Sequence, residues 1–327
     1  MKDIKELNAL VKNYFEENNY KGEAQELYDP INYILSLGGK RVRPLMLLMS
    51  YNLYSDKIEK ALDLAAAVEV FHNFTLIHDD IMDNAPLRRG QATVHEKWND
   101  NTAILSGDAM LIAAYQKLEN QDAEVLKKVL PVFNKTALEV CEGQQFDMEF
   151  ESREIVSIDE YVRMIELKTS VLLGSAMKIG SLAAGASVSD TDALYNYGRF
   201  LGLAFQLQDD FLDLYGDKAK FGKRIGGDIV ANKKTYLTIT ARNKANDSLK
   251  AKLDEIFITN NLGDKEEELK IDEVRSIYNQ LGVVEDMKND IDVFYKKAIE
   301  SISQIEIPEN DKTVLLDFAQ NLIKRDA

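Results

Sequence analysis

The sequence predicts one continuous all-α body, and three observations carry that expectation. Apolar residues recur at the three- and four-residue spacing of a helix face along most of the chain. Only five prolines and seventeen glycines interrupt 327 residues. No linker-like stretch cuts the chain, so a length that could hold one large or two ordinary domains is expected to form a single domain, residues 1–327.

Taken in order, residues 3–18 form the first expected helix, with Ile4, Leu7, Leu10, Val11, Tyr14 and Phe15 on one side. Asp29 before Pro30 reads as an N-cap followed by proline at the first helical position, and Gly38-Gly39 ends that short helix. Gly39-Lys40-Arg41-Val42-Arg43-Pro44 then sets three cations within four residues at the mouth of the next helix, Pro44 to Tyr54. Free backbone N–H groups at a helix start also favour an anion; a solvated loop is the competing reading of that fragment alone.

Asp56 opens a long helix that stops at Asn84-Ala85-Pro86, and Arg88-Arg89-Gly90 follows in a loop. Helices are expected over 102–118 and 131–150, the second holding Gly143-Gln144-Gln145-Phe146-Asp147. Ser157-Ile158-Asp159-Glu160 is a capping box that starts a helix reaching Ala184. Lys168 and Lys178 interrupt the apolar character of that stretch, which marks a core helix rather than a membrane span. Ser189 opens a helix ending near Gly216, and the loop from Lys218 to Asn232 reads as a mobile cationic flap with Lys218, Lys220, Lys223 and Arg224 among glycines. After Lys233-Lys234-Thr235 the chain returns to more acidic helices, in which Lys265-Glu266-Glu267-Glu268 is a solvated face.

The formal net charge of -15 argues against a nucleic-acid partner and against stable association with anionic membranes, since no basic stripe is present to bind phosphates. Cys141 is the only cysteine, so no intrachain disulfide forms and a reducing compartment fits. The charged, amphipathic start Met1-Lys2-Asp3-Ile4-Lys5-Glu6-Leu7 lacks the apolar core of a signal peptide, and a cytoplasmic location is expected.

Two copies of one aspartate pattern stand out: Asp79-Asp80-Ile81-Met82-Asp83 and Asp209-Asp210-Phe211-Leu212-Asp213. Residues four apart stack on one helix face, so Asp79 sits above Asp83 and Asp209 above Asp213, with Asp80 and Asp210 turned away. Paired like charges in apolar helices are unfavourable unless something positive lies between them. Hard oxygen ligands, few per helix, suit a Mg²⁺ ion that keeps some waters and shares substrate phosphates; an acidic surface stripe is the bland alternative for either copy. His72 falls on the side of Asp79 and Asp83, about 10 Å down the helix axis, where a core histidine and a binding histidine are both plausible.

The ordered set GGKRVRP, HNFTLIHDDIMD, LRRG, GQQFD, KT, FQLQDDFLD, GK and GGDIVANKKTYL, from about Gly38 to Lys234, resembles the trans-type isoprenyl diphosphate synthases, which include farnesyl and geranylgeranyl diphosphate synthases. The resemblance implies a large all-α bundle around a central active-site cavity, working as a homodimer, with three Mg²⁺ ions held between the two aspartate motifs. Asp79, Asp83 and Asp209 match metal ligands, and Asp80, Asp210 and Asp213 match residues that act through water or orient their neighbours. Lys40, Arg43, His72 and Arg89 match the isopentenyl diphosphate site; Arg88, Lys168, Lys223 and Lys233 match residues that clasp the allylic diphosphate. Thr169 and Gln206 resemble residues whose oxygens face the carbocation, so Lys168, Thr169, Gln206 and Arg88 are the expected catalytic set. Arg224 departs from the family pattern as an extra residue in the flap.

The implied activity is head-to-tail condensation of isopentenyl diphosphate with dimethylallyl, geranyl or farnesyl diphosphate. Phe74 matches a floor residue that limits chain growth, about 7.5 Å along the helix axis from Asp79 and about 140° around it. Thr75 beside it is small, and the first motif lacks a two-residue insertion; both lean the product toward geranylgeranyl diphosphate, with farnesyl diphosphate the close alternative. A synthase of longer chains, a terpene cyclase and a non-catalytic synthase subunit are the rival readings.

Overall fold

Local capping signals decide where several of the helices begin. In α1 (Ile4–Glu17) the Asp3 carboxylate accepts from the Glu6 backbone N–H at 2.8 Å while Glu6 accepts from Asp3 N at 2.9 Å. Ser157 and Glu160 make the same box before α8 (Ile158–Ile165), as their spacing predicts. The computed structural model describes residues 2–216, 225–259, 263–303 and 305–323, and among them the protein is all-α, with one two-stranded ribbon.

Several boundaries differ from expectation, each for a local reason. α2 (Gln25–Ser36) starts a turn before Pro30 and carries it internally; Asp29 is not a cap but an i,i+4 partner of the Gln25 amide at 2.7 Å. α3 (Val42–Asn52) starts from a left-handed Arg41, so Pro44 occupies its first turn, where a missing N–H costs nothing. A 3₁₀ turn, Ile58–Ala61, precedes α4 (Leu62–Met82), the helix of the first aspartate motif. The expected loop at Arg88-Arg89-Gly90 is a hairpin: β1 (Leu87–Arg88) pairs with β2 (Gln91–Ala92), and Arg89 and Gly90 both have positive φ, as a tight two-residue turn requires.

The chain continues through α5 (Val94–Lys97), α6 (Asp100–Glu119) and α7 (Ala123–Ser152), with Pro131 inside α7 rather than at its start. After α8 the helix widens into a π-turn, Glu166–Ser170, before α9 (Val171–Ala183). α10 (Val188–Tyr215) carries the second motif. The short α11 (Gly227–Val230) is followed by α12 (Tyr236–Lys244), α13 (Asp247–Ile256), α14 (Asp264–Leu281), α15 (Val283–Ser303) and α16 (Glu309–Ile323).

The chain divides into two compact units, one of Met1–Leu138, Leu172–Arg199 and Glu300–Asp317, the other of Glu139–Val171, Phe200–Ile299 and Phe318–Ala327. In the first, α4 packs against α3 and α6 and is apolar nearly all round, burying Leu64 through Val70, Phe71 and Ile77. Phe71 stacks edge-on to Phe133, which meets Tyr115 in the same manner. In the second, Leu207, Leu212, Ile239, Val274, Tyr278 and Met287 share one core; burying each such side chain contributes about 1.5–3 kcal/mol. α14 secures the approach to Lys233: Lys270 Nζ donates to Asn232 Oδ1 at 2.5 Å and to the Thr259 carbonyl at 3.1 Å.

Candidate active site

The first constellation gathers on α4, the start of α3 and the ribbon. Asp80 is buried, and the Arg88 guanidinium grips it, Nε to both carboxylate oxygens at 2.8 and 2.9 Å and Nη2 to Oδ1 at 2.7 Å. Arg88 Nη2 also lies 3.6 Å from Asp79. Burial opposes the Arg88 charge, yet Asp80, Asp79 and Asp83 outweigh it and hold the guanidinium pKa above its ordinary value. Asp83 caps the C-terminus of α4, and its N–H bonds the Asp79 carbonyl at 2.9 Å. Asp79 and Asp83 therefore face one spot from consecutive turns, while Asp80 is committed to Arg88.

Arg43 Nη1 donates to His72 Nε2 at 3.0 Å, which makes that nitrogen the acceptor and assigns the imidazole proton to Nδ1. Burial, then the charges of Arg43, Arg89 and Arg88, push the His72 pKa well below its ordinary value, so it is neutral. Arg89 lies over Gly39: a Cβ on Gly39 would stand 2.7 Å from the Arg89 guanidinium carbon. That close approach sets Arg89 against the backbone just before Lys40. Arg41, the third cation of the run, turns away, donating to the Val11 and Leu35 carbonyls at 3.3 and 3.1 Å beneath Phe15.

The second constellation lines a cavity of about 140 Å³ bounded by Asp147, Tyr161, Lys168, Thr169, Gln206, Asp210, Asp228, Lys233 and others. Lys168 Nζ donates to Asp147 Oδ2 at 2.6 Å. Gly143, one turn before Asp147, allows this: a Cβ there would lie 2.2 Å from the Lys168 backbone nitrogen. Thr169 Oγ1 donates to Gln206 Oε1 at 3.2 Å, Gln206 Nε2 donates to Asp210 Oδ1 at 3.3 Å, and the Tyr161 hydroxyl donates to Asp210 Oδ2. Burial, with Asp228 and Asp209 adding to it, drives the Asp210 carboxyl well above the usual range, against the pull of Tyr161 and Gln206. Asp213 is fixed by the Asp228 backbone N–H at 3.2 Å.

Arg43, His72 and Arg89 thus come together, with Lys40 next in the chain to the Gly39 that Arg89 covers, and Lys168, Thr169, Gln206 and Lys233 line one cavity; Lys223 and Arg224 lie outside the described residues. Phe74 is buried against Phe71 and His78, with ring centroids at 5.6 and 4.8 Å. Sequence reasoning assigned no role to Glu69, Asp147, Tyr161, Asp228 or Lys234. Glu69 is a buried carboxylate raised by burial and lowered by Arg43, Arg41 and Arg89; a lone acid in the apolar run Ala65–Phe71, three before His72, was its signal. Lys234 caps α7 through the Phe150 and Glu151 carbonyls at 2.8 and 3.1 Å.

Among the described residues no three His, Cys, Asp or Glu side chains converge to hold an ion alone. The aspartates offer only carboxylate oxygens, in pairs on one helix face, and Asp210 sits among acids whose repulsion positive charge would relieve. That donor set fits a hard cation that shares its ligands with phosphate and water.

An all-α fold with two aspartate-bearing helices, each supplied with its own cations, defines an isoprenoid synthase type of protein. The polyprenyl synthetase family model matches residues 24–280, and the chain belongs to that family, the trans-type isoprenyl diphosphate synthases. It is 40% identical over 308 residues to a geranylgeranyl diphosphate synthase of Methanosarcina mazei, covering 92% of this chain and 90% of that one. A crystal structure of a geranylgeranyl pyrophosphate synthase superposes with a TM-score of 0.95 at 44% identity, covering 100% of both chains. A geranylgeranyl pyrophosphate synthase of Corynebacterium glutamicum, crystallised with isoprenyl diphosphate and magnesium, gives a TM-score of 0.85 at 25% identity over 99% of this chain and 98% of that one.

Proposed function

We propose that the chain is a Mg²⁺-dependent prenyltransferase that condenses isopentenyl diphosphate head to tail with dimethylallyl, geranyl and farnesyl diphosphates. Its product is geranylgeranyl diphosphate, with farnesyl diphosphate the close alternative. The observation that carries this reading is the provision of separate cation sets, Lys40, Arg43 and Arg89 with one aspartate helix and Lys168 and Lys233 with the other. A cyclase, which ionises a single diphosphate, has no use for a second set. The complete aspartate motifs speak against a non-catalytic subunit.

In this reading Lys40, Arg43, His72 and Arg89 hold the isopentenyl diphosphate headgroup, and Arg88, Lys168, Lys223 and Lys233 the allylic diphosphate. Asp79, Asp83 and Asp209 would hold Mg²⁺, three ions in all, whose positive charge would offset that of the leaving diphosphate. The allylic C–O bond breaks with its electron pair leaving on oxygen, and Thr169 and Gln206 present oxygen dipoles to the cation. The double bond of isopentenyl diphosphate attacks, and the proton lost goes to the departed diphosphate. The chain acts as one functional domain and a homodimer in the cytoplasm, without nucleic acid or stable membrane association; among the described residues no helix is long and apolar enough to cross a membrane.

The test is incubation of purified protein with Mg²⁺, isopentenyl diphosphate and each allylic starter, with mass analysis of the dephosphorylated products. Asp79→Ala and Asp209→Ala are expected to cut turnover by orders of magnitude with the helical circular dichroism intact. Full activity in both variants would sink the reading.

A further inference from the structure

We infer that Tyr161 is a positioning residue for prenyl transfer, acting through Asp210 and Gln206 to set which atoms Thr169 presents to the cavity; the inference rests on the function proposed above. The chain of contacts is continuous: Tyr161 hydroxyl to Asp210 Oδ2, Gln206 Nε2 to Asp210 Oδ1 at 3.3 Å, Thr169 Oγ1 to Gln206 Oε1 at 3.2 Å. All four side chains line the same cavity. Tyr161 is not among the proposed diphosphate ligands; it lies on α8, which runs directly into the π-turn that carries Lys168 and Thr169.

Hydrogen-bond polarity gives the chain its purpose. Asp210 accepts on both oxygens, from Tyr161 on one and from Gln206 on the other. With its NH₂ held to Asp210, the Gln206 amide must turn its oxygen to Thr169, and Thr169 must donate. The Thr169 proton is thereby used, and the oxygen lone pairs remain for the cavity, the end of the dipole that stabilises a developing carbocation. Burial first, and the Asp210 charge next, push the Tyr161 phenol well above its ordinary value, so it stays a donor across the working pH range. Without that hydroxyl, Oδ2 of the buried Asp210 loses its donor, and the Gln206 amide is free to swing toward it and release Thr169.

Tyr161→Phe is expected to lower kcat about tenfold, the effect of one buried hydrogen bond, with KM for both diphosphates held within about threefold. A double-mutant cycle separates positioning from packing: Tyr161→Phe combined with Gln206→Leu should be no slower than Gln206→Leu alone, because both break one chain. Multiplicative losses, or wild-type kcat in Tyr161→Phe, overturn the inference. Should the Phe variant fail to fold, 4-aminophenylalanine and 4-methylphenylalanine at position 161 fill the same space with and without a donor. Retention of kcat only in the amino form supports the inference, and equal kcat overturns it. A wild-type chain inactive with every allylic starter overturns the functional reading itself, an outcome visible before any variant is compared.

Discussion

At the residue scale, the two sites are built from charged groups whose neighbours decide their state. His72 is the example with a pH consequence. Its unfolded imidazole takes a proton near 6.5, whereas burial and three arginines keep the folded one neutral far below that. The unfolded chain therefore binds more protons as pH falls past 6.5, and the stability present above 6.5 is lost below it, at a slope of up to about 1.4 kcal/mol per pH unit. His72→Gln, which keeps an acceptor for Arg43, should flatten the fall in urea midpoint between neutral pH and mildly acidic pH. An equal fall in wild type and variant would show that His72 is not the group concerned. Phe74, packed on Phe71 and His78, is the second test at this scale. Phe74→Ala removes a buried ring at a cost of about 3–5 kcal/mol and should lengthen the prenyl products, read by mass analysis well below the melting temperature. An unchanged product distribution would mark Phe74 as an ordinary core residue.

At the element scale, the contact of α7 with the π-turn decides whether Lys168 meets Asp147. Gly→Ala inside a helix ordinarily stabilises by about 1 kcal/mol. At Gly143 the added methyl would stand 2.2 Å from backbone that cannot step aside, so overpacking costing about 1–3 kcal/mol should win. Gly143→Ala is therefore expected to lower both the melting temperature and turnover, and a rise in melting temperature would show that this contact is slack. The π-turn itself was hidden in the sequence, because Glu166–Ser170 continues the residue types of the helices on either side. The hairpin at Arg89-Gly90 was hidden too, since strands of two residues carry no alternation to read. Helices with caps and apolar stripes, such as α1, α6 and α10, were legible to within a few residues.

At the scale of the whole molecule, the exposed apolar residues matter most. Leu105 and Ile112 stand one above the other on α6 at 59% and 60% exposure, with Ile104 beside them at 44%. Leu138 on α7 is 63% exposed. A row of this kind on a chain of net charge -15 is a surface for another apolar surface rather than for a polyanion. In the homodimer proposed above, a second copy of the chain would cover it with a self-complementary interface. Sedimentation should show two chains of 37.0 kDa together at micromolar concentration, and Leu105→Glu should shift the species toward a single chain. A wild-type monomer would count against the dimer.

The order of residues by itself determined the helical fold, because periodicity and capping act over a few residues and are written where they act. It also determined the chemistry available, since paired carboxylates and clustered cations are visible as composition within a turn or two of helix. Tertiary structure alone decided what each charge does. Arg41 and Arg43 differ by two positions, yet one turns inward to cap carbonyls and the other meets His72. Lys233 and Lys234 are neighbours; Lys234 caps α7, and Lys233 lines the cavity. Glu69, Asp147 and Tyr161 acquired partners 21 to 49 residues distant, or charges from other elements, by burial that no local window records. The physical reason is the same in each case: a side chain's partner is fixed by where helices cross, and crossings depend on contacts far apart in the chain.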